Sequence, residues 1–344
     1  SEMKKFFGIL ALLGCISVPD RRDLWRFESI YYNKLIHGAM RRHRFEAILC
    51  HLHWESTAQY TKAQISAKNK EDCFWRVATL EKKLQQNFQH HYTCGRDIDI
   101  DEQGIPTKCR HTAVQYNKDK PNKRFFKVYA LNDARSAYMS NFYLYRGAGV
   151  NNDTDRIPTI SHSAWPVWKL TSPEQYHFKN IIAFIDNYFN SVNLQKKLLE
   201  ERGIHSCGTF RTNRVKKTAG VDLFYTKTGL TKAAKGSVKQ YKLAENLYCT
   251  SWVDKKPVNM LHTYPSMMYE CKRNSKSATG EYELVFFDKP TVIADYNYGM
   301  GGTDLFDQFL SYYRTGVKTY KWPHLILFHF FSCCIVNSWI LYKL

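Results

Sequence analysis

The chain has 344 residues, with 50 Lys and Arg against 31 Asp and Glu for a net charge of +19. A hydrophobic share of 44%, with 15% aromatic residues, supplies a large core and excludes a disordered chain, a coiled coil or a small disulfide scaffold. The cation excess argues against an enzyme of neutral metabolites and for a polyanion partner: nucleic acid first, an anionic membrane surface second.

Phe6, Ile9, Leu10 and Leu13 recur at helical spacing, as do Phe74, Val77, Leu80 and Leu84, so residues 1–94 are predicted to be mainly helical. The apolar stretch 6–18 has the length of a signal-peptide core, but it ends in Pro19-Asp20 without a small-residue cleavage site. Residues 55–72 are polar and predict a surface loop. After Gly95 the period changes: Ile98 and Ile100 alternate with Asp97, Asp99 and Asp101, as in a strand. Two further strands are predicted over 125–131 and 137–145, joined as a hairpin by the turn 132–136.

A loop rich in Asn, Asp and Pro (151–158) precedes a helix expected from about Ser172. The run 181–185 predicts a buried strand ending at Asp186. A helix over 194–201 should stop at Gly203, and 205–211 reads as another short strand. This order of elements predicts an α/β fold of the ribonuclease-H-like class, a mixed sheet with flanking helices. Residues 211–290 then carry 15 Lys and Arg against seven acids, with β-like pieces at 258–261 and 284–287.

Helix is expected again after Gly301-Gly302, running with interruptions to the end. The stretch 322–342 holds no Lys, Arg, Asp or Glu, close to the roughly 20 residues a bilayer span needs. His324, His329, Ser332, Asn337 and Ser338 scatter polar groups around it, favouring a core helix docked through Leu325, Leu327, Phe328, Phe331 and Ile335 over a membrane anchor. The ten cysteines include no C-x-x-C and read as thiols in a reducing compartment.

Three acidic points, far apart in sequence, are candidates for chemistry. Asp101 lies at the end of the first strand, Asp186 ends the fourth, and Asp304 opens a helix with Asp307 one turn on. In a ribonuclease-H-like sheet the first and fourth strands are neighbours, so their ends can unite two carboxylates. Carboxylates are the hard oxygen ligands that Mg²⁺ or Mn²⁺ prefers. Two such ions roughly 3.5–4 Å apart suit an in-line phosphoryl displacement. An Asp at a strand end is more often a turn residue, and Asp97 and Asp99 compete with Asp101 on the same strand face.

Lys108, Arg110, Lys118, Lys120, Lys123, Arg124 and Lys127 stand against one acid, Asp119, and form a candidate phosphate-tracking surface. Arg211, Arg214, Lys216 and Lys217 read the same way. For Cys50-His51-Leu52-His53, a helix would point the two histidines apart, so core or surface histidines are favoured over zinc. Trp322 suits either base stacking or a hydrophobic anchor at the head of the last helix.

Six ordered blocks resemble those of the piggyBac transposase family. They are Asp-Ile-Asp-Glu-Gln (99–103), Tyr-Asn-Lys-Asp-Lys-Pro-Asn-Lys-Arg-Phe-Phe-Lys (116–127), Ile-Asp-Asn-Tyr-Phe-Asn-Ser (185–191), Thr-Phe-Arg-Thr-Asn-Arg (209–214), Asp-Tyr-Asn-Tyr-Gly-Met-Gly-Gly-Thr-Asp-Leu-Phe-Asp-Gln (295–308) and Lys-Trp-Pro (321–323). The resemblance implies that Asp101, Asp186 and Asp304 form the family's metal-binding acidic triad and that Asp307 is its nearby fourth acid. It implies a cut-and-paste transposase acting on double-stranded DNA at TTAA sites through hairpin ends, with Mg²⁺ or Mn²⁺, as a homodimer in the nucleus.

Four segments follow from the resemblance: a helical dimerisation and DNA-binding domain (1–94), the catalytic layer in two parts (95–213 and 288–344), and a β-rich basic insertion (214–287). The cysteine-rich zinc module with which the family often ends is not among these residues. A domesticated, transposase-derived DNA-binding protein would keep the same acids, and an unrelated nuclease of the same fold would cut DNA without joining it.

Overall fold

In the computed structural model the described residues are 1–147, 157–214, 223–225, 233–276, 281–315 and 317–344. Most of the predicted 151–158 loop, together with Lys216 and Lys217, lies outside them. The chain opens with helices α1 (Glu2–Cys15), α2 (Lys34–Ala39), α3 (Arg42–His51), α4 (Lys62–Glu71) and α5 (Trp75–His91). The helical spacing in α1 does what it predicts: Phe6, Ile9, Leu10 and Leu13 are all buried.

Helix α4 corrects the expected 55–72 loop. It buries no residue, so it has no apolar stripe to read. Its signal is a capping box, in which Thr61 Oγ1 accepts from Gln64 N–H and Gln64 Oε1 accepts from Thr61 N–H.

The strands β1 (Asp97–Pro106), β2 (Val114–Tyr116), β3 (Arg124–Asp133) and β4 (Met139–Leu144) follow, then α6 (Trp165–Leu170), β5 (Ile182–Ile185), α7 (Val192–Arg202) and β6 (His205–Thr209). Strand β3 lies antiparallel to β1 on one side and to β2 and β4 on the other. Strand β5 runs parallel to both β1 and β6. The order β4-β3-β1-β5-β6 is that of the predicted ribonuclease-H-like layer.

Gly203 closes α7 in the left-handed region at φ 61°, as its position after the periodic run requires. The helix expected from Ser172 is corrected. It is α6, which starts at Trp165 and ends at Leu170, and only a 3₁₀ turn follows at Glu174–Tyr176. Trp165, Val167, Trp168 and Leu170 are all buried, and burial on every side leaves no amphipathic period to detect.

Strands β7 (Val238–Ala244), β8 (Leu247–Val253) and β9 (Pro257–His262) of the basic segment continue the same sheet. Strand β9 pairs antiparallel with β6, setting Cys207 opposite His262 and Thr209 opposite Met260. Strands β10 (Met268–Lys276) and β11 (Tyr282–Pro290) form a separate two-stranded ribbon that leads into α8 (Thr291–Gly299). Helix therefore resumes before the paired glycines, earlier than expected, and α9 (Gly302–Tyr312) follows them.

A Cβ on Gly299 would stand 2.2 Å from the Phe184 ring, and one on Gly302 would stand 3.0 Å from the Asp133 carbonyl oxygen. The Gly-Met-Gly-Gly run thus lets α8 and α9 lie directly on the sheet.

The last helix, α10 (Trp322–Lys343), is long and apolar enough to cross a membrane. In this fold it sits between two cores. Ile326, Phe330, Cys333, Val336 and Ile340 pack with α5 and the sheet, while Phe328 packs with the amino-terminal helices. Of the residues expected to dock it, Phe328 is buried, Leu325, Leu327 and Phe331 are half-buried, and Ile335 is exposed. Its polar residues are used: Asn337 accepts from Met139 N–H at 3.0 Å and donates to the Met139 carbonyl at 2.9 Å, and His324 meets the Leu52 carbonyl at 2.7 Å.

Candidate functional site

The parallel register of β1 and β5 sets Ile100 opposite Ile185. Asp101 is the next residue on β1, in the middle of that strand and not at its end as expected, because β1 runs on to Pro106. Asp186 directly follows β5, so the two acids lie close together, near enough for the charge of Asp186 to act on Asp101. Both are half-buried. The Asp101 carboxyl is raised to about 6, first by burial, opposed by the Glu102 N–H that it accepts, then by the charges of Asp186, Glu102 and Asp304. Thr209, on β6, donates its hydroxyl to Asp186 Oδ1 at 3.3 Å.

Asp304 is exposed in the first turn of α9. What brings its helix to β1 is Asp99, which the sequence left only as a competitor of Asp101. Asp99 is 1% exposed, and its Oδ2 accepts the Thr303 N–H at 2.6 Å. It therefore satisfies a free donor at the start of α9 and pins the helix to β1. Its Oδ1 has no hydrogen-bond partner. Burial raises the Asp99 carboxyl to about 7, offset by the Thr303 N–H and reinforced by Asp101 and Asp304.

Asp307, one turn further along α9, accepts from the Gln103 amide. Its carboxyl is raised to about 6 by burial; the Gln103 bond lowers it, Asp304 raises it, and Arg314 and Lys120 lower it. Three carboxyls raised by burial and by neighbouring carboxylates, one with an orphaned oxygen, line an acidic face whose charge a cation would offset. Oxygen donors of this kind fit a hard divalent ion. Among the described residues, no three His, Cys, Asp or Glu side chains are gathered tightly enough to hold a metal by themselves. The adjacent couple is Asp101 with Asp186; Asp304 and Asp307 approach it from α9.

Around this centre the predicted basic residues divide. Lys118, Lys123 and Arg124 are exposed on the β2–β3 connection with Lys108 and Arg110 nearby in sequence, and Lys120 is half-buried with Nζ 5.2 Å over the Phe125 ring. Lys127 does not join that surface. Its Nζ lies 2.7 Å from Glu102 Oε1 and within 5.7 Å of the Tyr129, Tyr145 and Tyr188 rings. Arg211 is exposed. Arg214 turns inward, donating Nη1 to the Asn187, Tyr188 and Asn190 carbonyls at 2.7–3.0 Å. It thereby clamps the loop that begins at Asp186.

Trp322 is an anchor, edge-on to Phe74 at 5.7 Å and beside His111. The ring nitrogens of His51 and His53 meet backbone carbonyls and are exposed, as surface histidines would be. The sequence reading missed Asp99, Gln103 and His329 as site residues. Asp99 and Gln103 carry the period-two signal of Asp101; His329 gave no local signal.

Residues 1–339 match the family described as Transposase IS4. Among human proteins, the chain is 26% identical over 350 residues to PiggyBac transposable element-derived protein 3 and 24% identical over 347 residues to PiggyBac transposable element-derived protein 2. Each match takes in 100% of this chain and 55% of the relative, so the chain spans about half the length of these curated relatives. Its fold is that of a piggyBac transposase solved by cryo-EM as a synaptic complex with hairpin DNA, with a TM-score of 0.75 at 24% identity over 99% of this chain and 65% of that one. The strand order, the acids Asp101 within β1 and Asp186 directly after β5, and these matches have one conclusion: the chain belongs to the piggyBac transposase family.

Proposed function

We propose that this chain is the core of a cut-and-paste DNA transposase, cleaving a DNA strand and transferring the freed 3′-OH, at TTAA sites through hairpin ends. The observation that carries the reading is the register that sets Asp101 beside Asp186, with α9 pinned above them by Asp99. Asp101, Asp186 and Asp304 would hold Mg²⁺ or Mn²⁺, which is commonly bound by one or two carboxylates together with substrate phosphates. When bound, the metal supplies a more acidic water and neutralises charge on the transferring phosphoryl group.

The chain's own residues do the rest. Thr209 and Arg214 fix Asp186 and its loop, Gln103 holds Asp307 as a supporting acid, and Lys118, Lys120, Lys123, Arg124 and Arg211 offer cations to the phosphate backbone. Lys216 and Lys217 extend that set in sequence. The same reading gives the 1–94 segment DNA binding and homodimerisation, the basic 214–287 segment further contact with double-stranded DNA, and the protein a place in the nucleus.

A second reading is a transposase-derived nuclear DNA-binding protein without strand-transfer activity. It is favoured by the two human relatives, both described as transposable element-derived. The test uses the full-length protein, DNA flanking its own gene and a plasmid bearing TTAA, with Mg²⁺, Mn²⁺ or chelator. Metal-dependent cutting with joining supports the transposase. Binding without cutting supports the derived protein, and cutting without joining overturns both in favour of a nuclease.

A further inference from the structure

Gln103 follows Asp101 by two residues on β1, so its side chain leaves the sheet on the same face. It is 1% exposed, and both ends of its amide are engaged. Nε2 donates to Asp307 Oδ1, and Oε1 lies 3.0 Å from Nε2 of His329 on α10. A carboxylate only accepts, so the NH₂ end faces Asp307 and the carbonyl end faces the imidazole.

An amide oxygen also only accepts, so His329 Nε2 carries a hydrogen. Cys333 Sγ, 3.6 Å from that same nitrogen, is then a second, weak acceptor. Burial holds His329 far below the usual histidine range, at about 3. The ring is neutral, with one proton to place, and the Gln103 carbonyl places it on Nε2.

We infer that Gln103 and His329 are positioning residues: a neutral His329, held as the Nε2–H tautomer, orients the Gln103 amide, and the amide fixes the Asp307 carboxylate beside Asp304. The chain runs from α10 through β1 to α9, so three elements converge on the orientation of one acid. The inference deepens the transposase reading, and only its effect on catalysis rests on that reading. A buried glutamine merely filling space would contribute packing and leave both the tautomer and the turnover of the site unaffected.

The test uses the full-length protein labelled with ¹⁵N-histidine, with the His329 signals assigned through His329→Phe. The expected wild-type signature at pH 7 is protonated Nε2 and bare Nδ1. In Gln103→Met, which keeps the length and removes both hydrogen bonds, the His329 tautomer should shift toward Nδ1–H. Cleavage of DNA ends with saturating Mn²⁺ should lose at least about tenfold in kcat, with KM changed less than about twofold, as expected when a group acting mainly in the transition state is misplaced.

A wild-type Nδ1–H tautomer would overturn the inference, as would a Gln103→Met variant with unchanged tautomer or unchanged kcat. If the wild type cuts no DNA under any condition, the transposase reading fails, while the tautomer measurement still decides whether the relay exists.

Discussion

Strand β1 has two unlike faces. Ile98 and Ile100, both 0% exposed, point into an apolar core with Leu131, Ile185, Leu194 and Leu198. Asp97, Asp99, Asp101 and Gln103 alternate with them on the opposite face, where Asp99 bonds to α9 and Gln103 to α9 and α10. The first face is held by area: burying each isoleucine is worth about 1.5–3 kcal/mol. The second is held by directed bonds, from Thr303 to Asp99 and from Gln103 to Asp307, and is opposed by like charges. Stability therefore resides mainly on one face and the proposed chemistry on the other, and substitutions can separate them.

The largest expected effect is on the chemical face. Asp101→Asn or Asp186→Asn should reduce DNA cleavage by about 10²–10³-fold or more, as loss of a charge-organising group at a reacting centre does. Affinity measured by fluorescence anisotropy should change little, because the phosphate contacts proposed above come from other residues. Equal cleavage by wild type and variant would remove these acids from the site. On the apolar face, Ile100→Ala should cost about 2–5 kcal/mol in urea unfolding. That cost should be the same at pH 8 and pH 6.5, since no charge is involved.

The acidic face also predicts an unusual pH dependence for the metal-free protein. The folded-state values of Asp99, Asp101 and Asp307 are raised to about 7, 6 and 6 from the ordinary aspartate value of 3.8. The folded state therefore binds more protons than the unfolded state across that window. The stability these groups contribute is present below pH 3.8 and lost as pH rises through 6–7. His262 and His329 have the opposite sign: burial lowers them to about 4 and 3, so the unfolded state gains protons first and stability falls as pH drops below about 6.5.

Between pH 8 and 6.5 Asp99 takes up its proton while His111, His262, His324 and His329, all lowered by burial, begin to oppose it, so the share of the acid is read as the difference between wild type and a variant. Asp99→Asn keeps an oxygen for the Thr303 N–H and removes the charge. It should stabilise the apoprotein by about 1–3 kcal/mol at pH 8, one pKa unit being worth about 1.4 kcal/mol, and that gain should shrink as the pH falls to 6.5 and the wild-type carboxyl takes up its proton. A gain from Asp99→Asn that did not shrink between pH 8 and 6.5 would contradict the raised value of Asp99.

How much of this was legible depends on whether the signal is local. The alternation around Ile98 and the apolar run before Asp186 disclosed two strands, and the ordered elements disclosed the layer in which those strands are neighbours. Helix α4 was missed because nothing on it is buried; Thr61 and Gln64 were its only signal. The continuation of the sheet through β9 was not legible, since it depends on a pairing between 207–209 and 260–262 that loosely patterned strands do not announce. Gln103 and His329 are 226 residues apart, and a single long-range hydrogen bond leaves no period. Lys127 was misassigned for the opposite reason: its neighbours in sequence are surface cations, and only the fold turns it inward.

That inward turn yields the smallest effect and a sharp test. Lys127 and Glu102 have side chains only 15% and 21% exposed, whereas the Arg22–Asp20 pair is 56% and 37% exposed. A pair of the second kind contributes little. Lys127→Met preserves the stem against the three tyrosines but leaves Glu102 without its cation, and should cost about 1–2 kcal/mol, within the range for a partly buried polar group left unpaired. Lys127→Met combined with Glu102→Gln should recover part of that loss. Because Lys127 is committed to Glu102, its replacement should leave the salt dependence of DNA binding unchanged. Lys118→Glu or Lys123→Glu should instead reduce the log–log slope by about 0.9 for each phosphate that is no longer neutralised. If Lys127→Met flattened that slope as much as the surface variants did, the lysine would have to leave its tyrosine cage to meet DNA, and the separation of faces along β1 would not extend to its neighbour β3.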